Sequence, residues 1–324
     1  MKLLLAPDYI EQATLAVRHA KTRVILLSMI IADHPATHEF IEELKVAAKR
    51  GVAVSVAADI FTYGEVSGSF LPLRYNNPHA KMATRLGKSF KTAGVTFHWL
   101  GRSRSTLLVG RTHGKWCIVD DEVFVFGGVN IYQKGIESAD YMFKVSDQRL
   151  ADRLAHEYQR IKKADRSDSN YPSVAYELDG NSILIDGGMI GQSLIYRRAY
   201  ELAAEATDIL FVSQYCPTGK LARMLKAKEA KLYFNRLEQT NFLNGFFIRM
   251  SLALSGLKTT YQRKAYLHAK FVIFTMPDGS QVALTGSHNF AYTTVLFGTR
   301  EIALETKDPE IINQLKDFYK KYIS

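Results

Sequence analysis

Two stretches of the chain have the same residue pattern. The first reads Arg111-Thr-His-Gly-Lys-Trp-Cys-Ile-Val-Asp120 and is followed by Gly127-Gly-Val-Asn130. The second reads Leu267-His-Ala-Lys-Phe-Val-Ile-Phe274 and is followed by Gly286-Ser-His-Asn289. In each, a His-x-Lys opens an apolar run, and a second run ends in Gly-(Gly/Ser)-x-Asn. Because the internal order repeats, chance is an improbable explanation, and the chain is predicted to be a duplication of one unit.

In each stretch the histidine and the lysine are two residues apart. Side chains two apart in an extended strand point to the same face. We therefore expect His113 with Lys115, and His268 with Lys270, to open a strand and to face one site.

The pattern resembles the motif His-x-Lys-(x4)-Asp of the phospholipase D superfamily, which is usually present twice. The first copy matches in full, whereas the second has Thr275 in place of the aspartate. The resemblance covers most of the chain and is nearest to bacterial cardiolipin synthases. Their first domain has an apolar strand, an alanine-rich helix ending in Arg-Gly-Val, a second strand and then the motif. The corresponding passage here is Ala47-Ala-Lys-Arg-Gly-Val-Ala-Val-Ser-Val56.

The composition fits a globular protein with an anionic partner. The 324 residues suffice for two medium domains or one large one, and 47% of them are hydrophobic. Lysine plus arginine number 42 against 32 aspartate plus glutamate, a formal net charge of +10. This surplus favours nucleic acid, an acidic membrane surface or a phosphorylated substrate, without distinguishing among them.

Two features indicate a cytoplasmic protein. Cys117 and Cys216 have neither a metal-binding spacing nor a disulfide framework, which is typical of buried thiols in a reducing compartment. No segment reaches the roughly 18 apolar residues that span a bilayer, and the N-terminus turns polar too early for a signal peptide. We expect a cytoplasmic location, with peripheral contact to the membrane left open.

The order of apolar runs predicts an α/β fold. Runs at 23–31 and 52–60 are typical of strands buried on both faces, and helical patterns alternate with them. This alternation predicts parallel pairing with crossover helices, hence α-β-α sandwich units. The order restarts after a polar stretch, so we expect a first unit at 1–163, a linker at 164–180 and a second unit at 181–324. The resemblance implies two phospholipase D-like units packed face to face with pseudo-two-fold symmetry.

Two further elements precede the second motif. A strand is predicted at 257–262, and an apolar, aromatic helix at 239–254. That helix either packs on the sheet as a core helix or dips into a bilayer interface.

The paired motifs suit cleavage of a phosphodiester. Such cleavage needs a nucleophile, an acid for the leaving oxygen and positive charge on the non-bridging oxygens. The resemblance implies that one histidine forms a covalent phosphohistidine while the other transfers the proton. We assign the first role to His113 and the second to His268, because the family's nucleophile is usually the N-terminal histidine.

The remaining motif residues are expected to bind the phosphoryl group. Lys115 and Lys270 would supply positive charge, and the amides of Asn130 and Asn289 neutral donors. Because the lysines neutralise the charge, no metal or other cofactor is expected. A metal site is also disfavoured because each lysine would repel a cation from the face it shares with the histidine.

A histidine nucleophile needs an acceptor for its second ring nitrogen, which fixes the tautomer. The family provides a carboxylate downstream of each motif, and the candidates here are Asp140 and Glu301. Whether each serves the histidine of its own half or of the other half is left open.

Other motif residues are expected to be structural. Asp120 would anchor the turn after the first motif strand, which makes Thr275 tolerable in the second copy. Gly128 and Ser287 occupy one motif position in the two copies and are assigned structural roles. His288 is interpreted as a neighbour of the site, with a role in specificity as the alternative.

Two runs without acidic residues, 66–119 and 239–277, each lead into a motif. We expect them to line the approach to the cleft, with Arg102, Arg104 and Arg111 binding substrate. The alternative is a pair of ordinary basic surfaces.

Three functions are compatible with these observations. The resemblance favours a phosphatidyltransferase or phospholipase acting on anionic phospholipids. The N-terminal membrane helices common in cardiolipin synthases are missing, however. In their second motif an aspartate commonly follows Asn-(Leu/Phe), and Ala291 stands at that position here. The alternatives are a metal-independent nuclease or phosphodiesterase and a non-catalytic basic binding module. Two motifs in one chain make a monomer sufficient for catalysis.

Overall fold

The computed structural model describes residues 1–65, 78–101, 109–239, 249, 251–253 and 255–324. Within these ranges the apolar runs form two seven-stranded sheets, one from each half of the chain. The fold is therefore α/β with two mixed sheets, which confirms the predicted fold class.

The first half of the chain forms the first sheet and its helices. The strands are β1 (Lys2–Leu5), β2 (Arg23–Ser28), β3 (Ala53–Asp59), β4 (Thr96–Leu100), β5 (Trp116–Val119), β6 (Glu122–Val125) and β7 (Tyr141–Ser146). The described helices are α1 (Ala6–His19), α2 (His38–Lys49), α3 (Thr62–Glu65), α4 (Pro78–Thr92), α5 (Gln133–Glu137) and α6 (Gln148–Arg166).

The second half forms the second sheet. Its strands are β8 (Val174–Leu178), β9 (Asn181–Gly187), β10 (Asp208–Val212), β11 (Lys231–Tyr233), β12 (Phe271–Thr275), β13 (Gln281–Gly286) and β14 (Arg300–Thr306). Its described helices are α7 (Leu194–Glu205), α8 (Gly219–Ala227), α9 (Tyr292–Phe297) and α10 (Pro309–Phe318), with a 3-10 turn at Leu237–Gln239 and a π-helical turn at Tyr319–Ile323.

Six strands occupy matching positions in the two sheets. The first sheet has the order β1-β7-β6-β5-β2-β3-β4, and the second, taken in the same direction, has β9-β14-β13-β12-β10-β11 with β8 added outside β9. The predicted parallel pairing is confined to β2-β3-β4 and to β10-β11. The motif strands β5 and β12 pair antiparallel with both neighbours, because each returns through a hairpin.

The two sheets face each other across one shared core. Ile118 and Val125 of the first sheet lie in the same buried cluster as Ile273 and Leu304 of the second, and α6 and α10 pack into it. Separate clusters cover the outer faces, with α1, α2 and α4 on the first sheet and α7 and α8 on the second. Burial of apolar surface therefore joins the two units as well as each unit internally.

Side-chain caps define the start of three of the long helices. Asp147 accepts a hydrogen bond from the Leu150 amide (2.9 Å) at the start of α6. Ser193 and Asp308 cap α7 and α10 in the same way. Such caps satisfy amides that have no partner within the helix.

Several local predictions differ from the structure. The motif strands begin at Trp116 and Phe271, one residue after each lysine, because the histidine segments bond to the other unit instead of their own sheet. Residues 257–262 form no strand; Thr260 bonds to Leu232 through its amide and hydroxyl, without a ladder. Most of the predicted helix 239–254 lies outside the described residues.

The division into units and linker stays a prediction. Helix α6 reaches Arg166, and Val174–Leu178, within the expected linker, forms the edge strand β8 of the second sheet. None of the described helices is long and apolar enough to cross a membrane.

Asp120 anchors the turn between β5 and β6. It adopts a positive φ of 56°, and its carboxylate accepts hydrogen bonds from the amides of Lys21, Thr22 and Arg23 (2.9–3.0 Å) and from the Thr22 hydroxyl. Burial would raise its pKa, but these donors lower it to about 2. In the second unit a five-residue link with a turn at Asp278 and Gly279 replaces this arrangement, so Thr275 needs no carboxylate.

Replacing Asp120 by Asn should lower the free energy of unfolding by about 1–2 kcal/mol, after allowance for solvent screening, because the amide loses the charge that these donors stabilise. Since the folded pKa lies below the ordinary 3.8, this stabilisation is present above pH 3.8 and is lost as the pH falls through about 2. Urea unfolding at pH 7 measures the change. Asp121→Asn, exposed in the same turn, is the control; equal midpoints for the two variants would contradict the prediction.

Candidate active site

Backbone hydrogen bonds connect the two units beside each motif histidine. The amides of His113 and Gly114 both donate to Arg300 O (2.8 Å), at the start of β14 in the second unit. By the matching contact, the amides of His268 and Ala269 both donate to Ala139 O (3.0 Å), which precedes β7 in the first unit. Each motif histidine therefore lies beside the carboxylate-bearing strand of the other unit.

These contacts pair each histidine with the carboxylate of the opposite half. His113 Nδ1 donates to Glu301 Oε2 at 2.9 Å, and His268 Nδ1 donates to Asp140 Oδ2 at 2.6 Å. All four side chains are buried, with each histidine 8% exposed. The bond fixes the tautomer, so Nε2 of each ring is the nitrogen left for other chemistry.

The two carboxylates are held by different groups. Asp140 accepts from the backbone amides of Gly128 (3.3 Å) and Tyr141 (2.9 Å). Glu301 accepts from the hydroxyls of Ser287 (2.5 Å) and Thr299 (3.2 Å). Gly128 and Ser287, which share one motif position, thus each donate a hydrogen bond to the carboxylate of their own unit. Gly128 uses its backbone amide and Ser287 its hydroxyl.

Gly128 also makes room for the His268–Asp140 pair. A Cβ atom there would lie 2.7 Å from Asp140 Oδ2 and 3.1 Å from His268 Nδ1. These distances are too short for either contact to persist unchanged, so a side chain at this position is incompatible with the pair.

The lysines lie behind the histidines. Lys115 Nζ donates to His113 O at 2.6 Å, and Lys270 Nζ donates to His268 O in the same way. Each lysine is 1% exposed, and neither is among the residues that line the cleft. Burial lowers the pKa of Lys115 to about 7 and that of Lys270 to about 8.

Burial also keeps the histidines neutral. It lowers the pKa of His113 and brings that of His268 to about 3, against the opposing pull of the partner carboxylates. For Asp140 and Glu301 burial acts in the opposite direction, but their histidines and the nearby lysines outweigh it. The pKa of Asp140 is lowered, and that of Glu301 falls to about 2. Both acids are therefore ionised at neutral pH.

Both motif asparagines line the cleft with the two histidines. Asn130 Oδ1 accepts a bond from the Ile30 amide (3.3 Å), which leaves its amide group as a donor. Asn289 is 3% exposed, and its Oδ1 has no hydrogen-bond partner in the described part of the chain.

The cleft has a volume of about 150 Å³ and a largely apolar wall. Its apolar and aromatic lining residues are Met29, Ile30, Phe61, Tyr132, Tyr215, Tyr266, Ala291 and Phe297. Arg111 also lines it, but its guanidinium bonds to buried Asp59 (3.1 Å) and to Gly101 O (3.3 Å). Part of the hydrogen-bonding capacity of Arg111 is thus used within the protein.

The other predicted residues fall into two groups. Arg102 and Arg104 lie outside the described residues. His288 is buried, accepts from the Phe290 amide through Nδ1 (2.8 Å) and bonds to Thr294 through Nε2 (3.1 Å). Because both nitrogens are engaged, His288 is a structural neighbour.

Sequence inspection missed Thr299 and Asp59. Thr299 is two residues before Glu301, the spacing at which strand side chains share a face, and that signal could have identified it. Asp59 is the polar end of an apolar parallel strand, a position at which functional groups often occur.

One group among the described residues has the donor set for a metal ion. Asp33, His38 and Glu42 bring their ligand atoms within 4.8 Å of one another at the start of α2. None of them is among the residues that line the cleft. Exposed carboxylates of this kind are common on protein surfaces, so the group has no evident link to the site.

Gly128→Ala should disrupt the His268–Asp140 contact, because the added Cβ would overlap both partners. We expect the downfield imidazole N–H resonance of His268 in proton NMR spectra to disappear or move upfield. Gly114→Ala is the control, since a Cβ there meets only ordinary contacts at 3.4 Å and beyond. An unchanged resonance in Gly128→Ala would show that the space around this pair is not limiting.

Comparisons with known proteins identify a matching family for the first unit. Residues 15–162 match a family model described as "Cardiolipin synthase, PLD-like domain". No curated protein sequence matches the chain.

Two solved structures share the fold over the whole chain. Phosphatidylserine synthase from Haemophilus influenzae superposes with a TM-score of 0.71 at 13% identity, covering 100% of this chain and 86% of that one. Polyphosphate kinase from Porphyromonas gingivalis gives a TM-score of 0.63 at 12% identity, covering 98% of this chain and 49% of that one. At such identities these likenesses concern the fold alone.

The family match covers the first motif. Residues 15–162 therefore form a phospholipase D-like domain of that family, and the second unit repeats its sheet order and its histidine–carboxylate contact.

Proposed function

We propose that the chain is a phosphodiesterase or phosphatidyltransferase that acts on anionic phospholipids through a covalent phosphohistidine. The observation that supports this most directly is the pair of cross-unit contacts, His113 with Glu301 and His268 with Asp140, at one cleft. In both pairs the histidine Nδ1 donates its hydrogen bond to the carboxylate. Two imidazoles with available Nε2 atoms can supply a nucleophile and a proton donor to one phosphorus.

The proposed reaction has two steps. His113 Nε2 attacks phosphorus, the bond to the leaving oxygen breaks, and His268 gives that oxygen its proton. An alcohol or water then attacks the phosphohistidine, gives its proton to His268, and the P–N bond breaks. Both histidines return to their starting state, and no redox partner is needed. The assignment of the nucleophile to His113 rests on the resemblance.

Binding of the anionic substrate would favour protonation of His268, which then acts as the acid. Burial holds the pKa of His268 at about 3, so its ring is neutral at pH 7. A phosphodiester brings a negative charge next to the ring, which favours the imidazolium and raises its pKa. Asp140 would stabilise that imidazolium through its bond to Nδ1.

The asparagine amides and the lysine ammonium groups would together stabilise the phosphoryl oxygens. Asn130 and Asn289 line the cleft and offer amide donors. Lys115 and Lys270 would contribute positive charge from behind the histidines, or move their ammonium groups from the histidine carbonyls to the substrate.

The composition of the cleft wall favours a lipid. Its described lining is mainly apolar and aromatic, and Arg111, the one lysine or arginine among those residues, is paired with Asp59. A nucleic acid would require several cations along its backbone. The net charge of +10 also attracts an anionic bilayer surface, so peripheral membrane contact belongs to this proposal.

A metal-independent nuclease or phosphodiesterase acting on nucleic acid is the alternative. The same net charge and the acid-free runs before each motif favour it. Arg102 and Arg104 would then contact nucleic-acid phosphates.

Purified protein in chelator should convert phosphatidylglycerol in vesicles, because the site uses histidines and lysines. His268→Ala should reduce turnover by about 10²–10⁴-fold, the usual contribution of a catalytic proton-transfer group. His113→Ala removes the nucleophile and should reduce turnover at least as much. Mass spectrometry of the products measures the outcome. Cardiolipin with glycerol would indicate transfer, and phosphatidic acid hydrolysis.

Failure of the wild type on phospholipid vesicles, together with cleavage of labelled single- or double-stranded DNA, would replace the lipid proposal by its alternative. Inactivity on all of these substrates would favour a binding module.

A substrate with a p-nitrophenyl leaving group tests which histidine is the nucleophile, since that group leaves without an acid. His268→Ala should release one equivalent of p-nitrophenol and retain a phosphoryl adduct on His113, located by acid-free peptide mapping. His113→Ala should form no adduct. An adduct on His268 in the His113→Ala variant would reverse the two roles.

A further inference from the structure

A basic groove lies on helix α6, apart from the cleft. Gln159, Lys162, Lys163, Arg166 and Ser167 line an open groove of about 470 Å³, and none of them is among the residues that line the cleft. Their spacing of three and four residues places them on one face of the helix. Lysine and arginine supply all the formal charge among these five residues.

Strand β4 contributes His98 to the same region. His98 shares its strand face with Leu100, which packs in the central core with Leu154 of α6, so the ring lies on the α6 side of the sheet. Burial first, and then the charges of Lys162, Arg166 and Lys91, lower the pKa of His98 to about 4.

Two polar groups in this region have no hydrogen-bond partner among the described residues. Lys162 is only 9% exposed, and no described side chain or carbonyl accepts a hydrogen bond from its ammonium, which lies 5.1 Å from the Tyr158 ring centre. His98 Nε2 is buried and also lacks a partner among the described residues. An ammonium without an acceptor among the described residues, next to two further cations in one groove, is suited to bind an anion.

The helix dipole offers a partial explanation for the basic residues. The negative end of α6 attracts cations, which is sufficient for the exposed Lys163 and Arg166. It does not explain Lys162, because the carbonyls of the last turn already accept bonds from Ser167 and Ser169.

The adjacent carboxylate bonds to the backbone beside β4. Asp165 is 7% exposed, and its Oδ1 accepts a bond from the Gly101 amide at 2.8 Å. Asp165 thus ties the end of α6 to the residue that follows β4.

We propose that this groove is a second binding site, separate from the catalytic cleft, for a phosphate-class anion, either free phosphate or the phosphodiester of a lipid headgroup. Lys162, Lys163 and Arg166 together provide three positive charges and, through the arginine, a planar fork that fits two phosphate oxygens. The inference does not depend on the proposed reaction, because none of these residues touches the cleft.

The first experiment follows the His98 imidazole by NMR while inorganic phosphate is added to the full chain. A saturable shift is expected in the wild type, and His98→Gln identifies the resonance. Lys163→Gln/Arg166→Gln should weaken the apparent affinity by roughly tenfold or more, because charge-assisted contacts are lost. Arg223→Gln/Lys226→Gln removes the same charges from exposed positions on α8 and should leave the affinity unchanged.

Vesicles distinguish the two sources of phosphate. Co-sedimentation with phosphatidylglycerol–phosphatidylcholine vesicles, against phosphatidylcholine alone, should show weaker binding only for the α6 double variant if the ligand is a headgroup. Equal vesicle binding by both double variants, with the phosphate titration still discriminating between them, would indicate free phosphate as the ligand.

The proposal fails if phosphate causes no saturable shift of His98 and the two double variants bind vesicles equally. It also fails if both double variants weaken phosphate binding to the same extent, since net charge alone would then explain the effect. The two substituted positions on α6 are exposed, so loss of folding is not expected, and circular dichroism checks this. Turnover on phospholipid is measured separately, so a failure of the proposed reaction would not affect these outcomes.

Discussion

The structure depends on an exchange of backbone contacts between two copies of one unit. His113 and Gly114 bond to Arg300 O, and His268 bonds to Ala139 O in the matching position. Because the exchange is reciprocal, each histidine lies beside a carboxylate that its own unit does not provide. Neither unit alone would have a complete histidine–carboxylate pair, and the shared apolar core that holds the sheets together also holds the site together.

Burial at this junction places two lysines and two carboxylates in a nearly dry environment. Lys115, Lys270, Asp140 and Glu301 are each 1–2% exposed, and their formal charges cancel when all are ionised. Burying an isolated charge is costly, so the four groups stabilise one another. The lowered pKa values of the lysines bring their charged and neutral forms close in free energy at neutral pH. A bound phosphodiester anion would favour the charged forms.

Small differences between the copies follow from the same geometry. The shorter Asp140 reaches toward Gly128, where only a backbone amide and no side chain can be accommodated, whereas the longer Glu301 is held by the Ser287 hydroxyl. The missing aspartate at Thr275 reflects a different turn, because the first motif strand needs a carboxylate to bind three amides and the second does not. His268 of the second copy therefore still has a carboxylate partner, Asp140 of the first unit, despite the incomplete motif.

The sequence by itself determined the duplication and the α/β class, and it predicted the His-x-Lys pairs as site residues, because His-x-Lys spacing and apolar runs are local properties that repeat. It also identified Asp140 and Glu301 as candidate carboxylates, and their catalytic roles stay predictions. Only the tertiary structure decided which carboxylate meets which histidine, that the lysines lie behind the rings, and that β4 and α6 pack into one core. Those facts depend on contacts between residues far apart in the chain, and no local pattern specifies how two sheets pack.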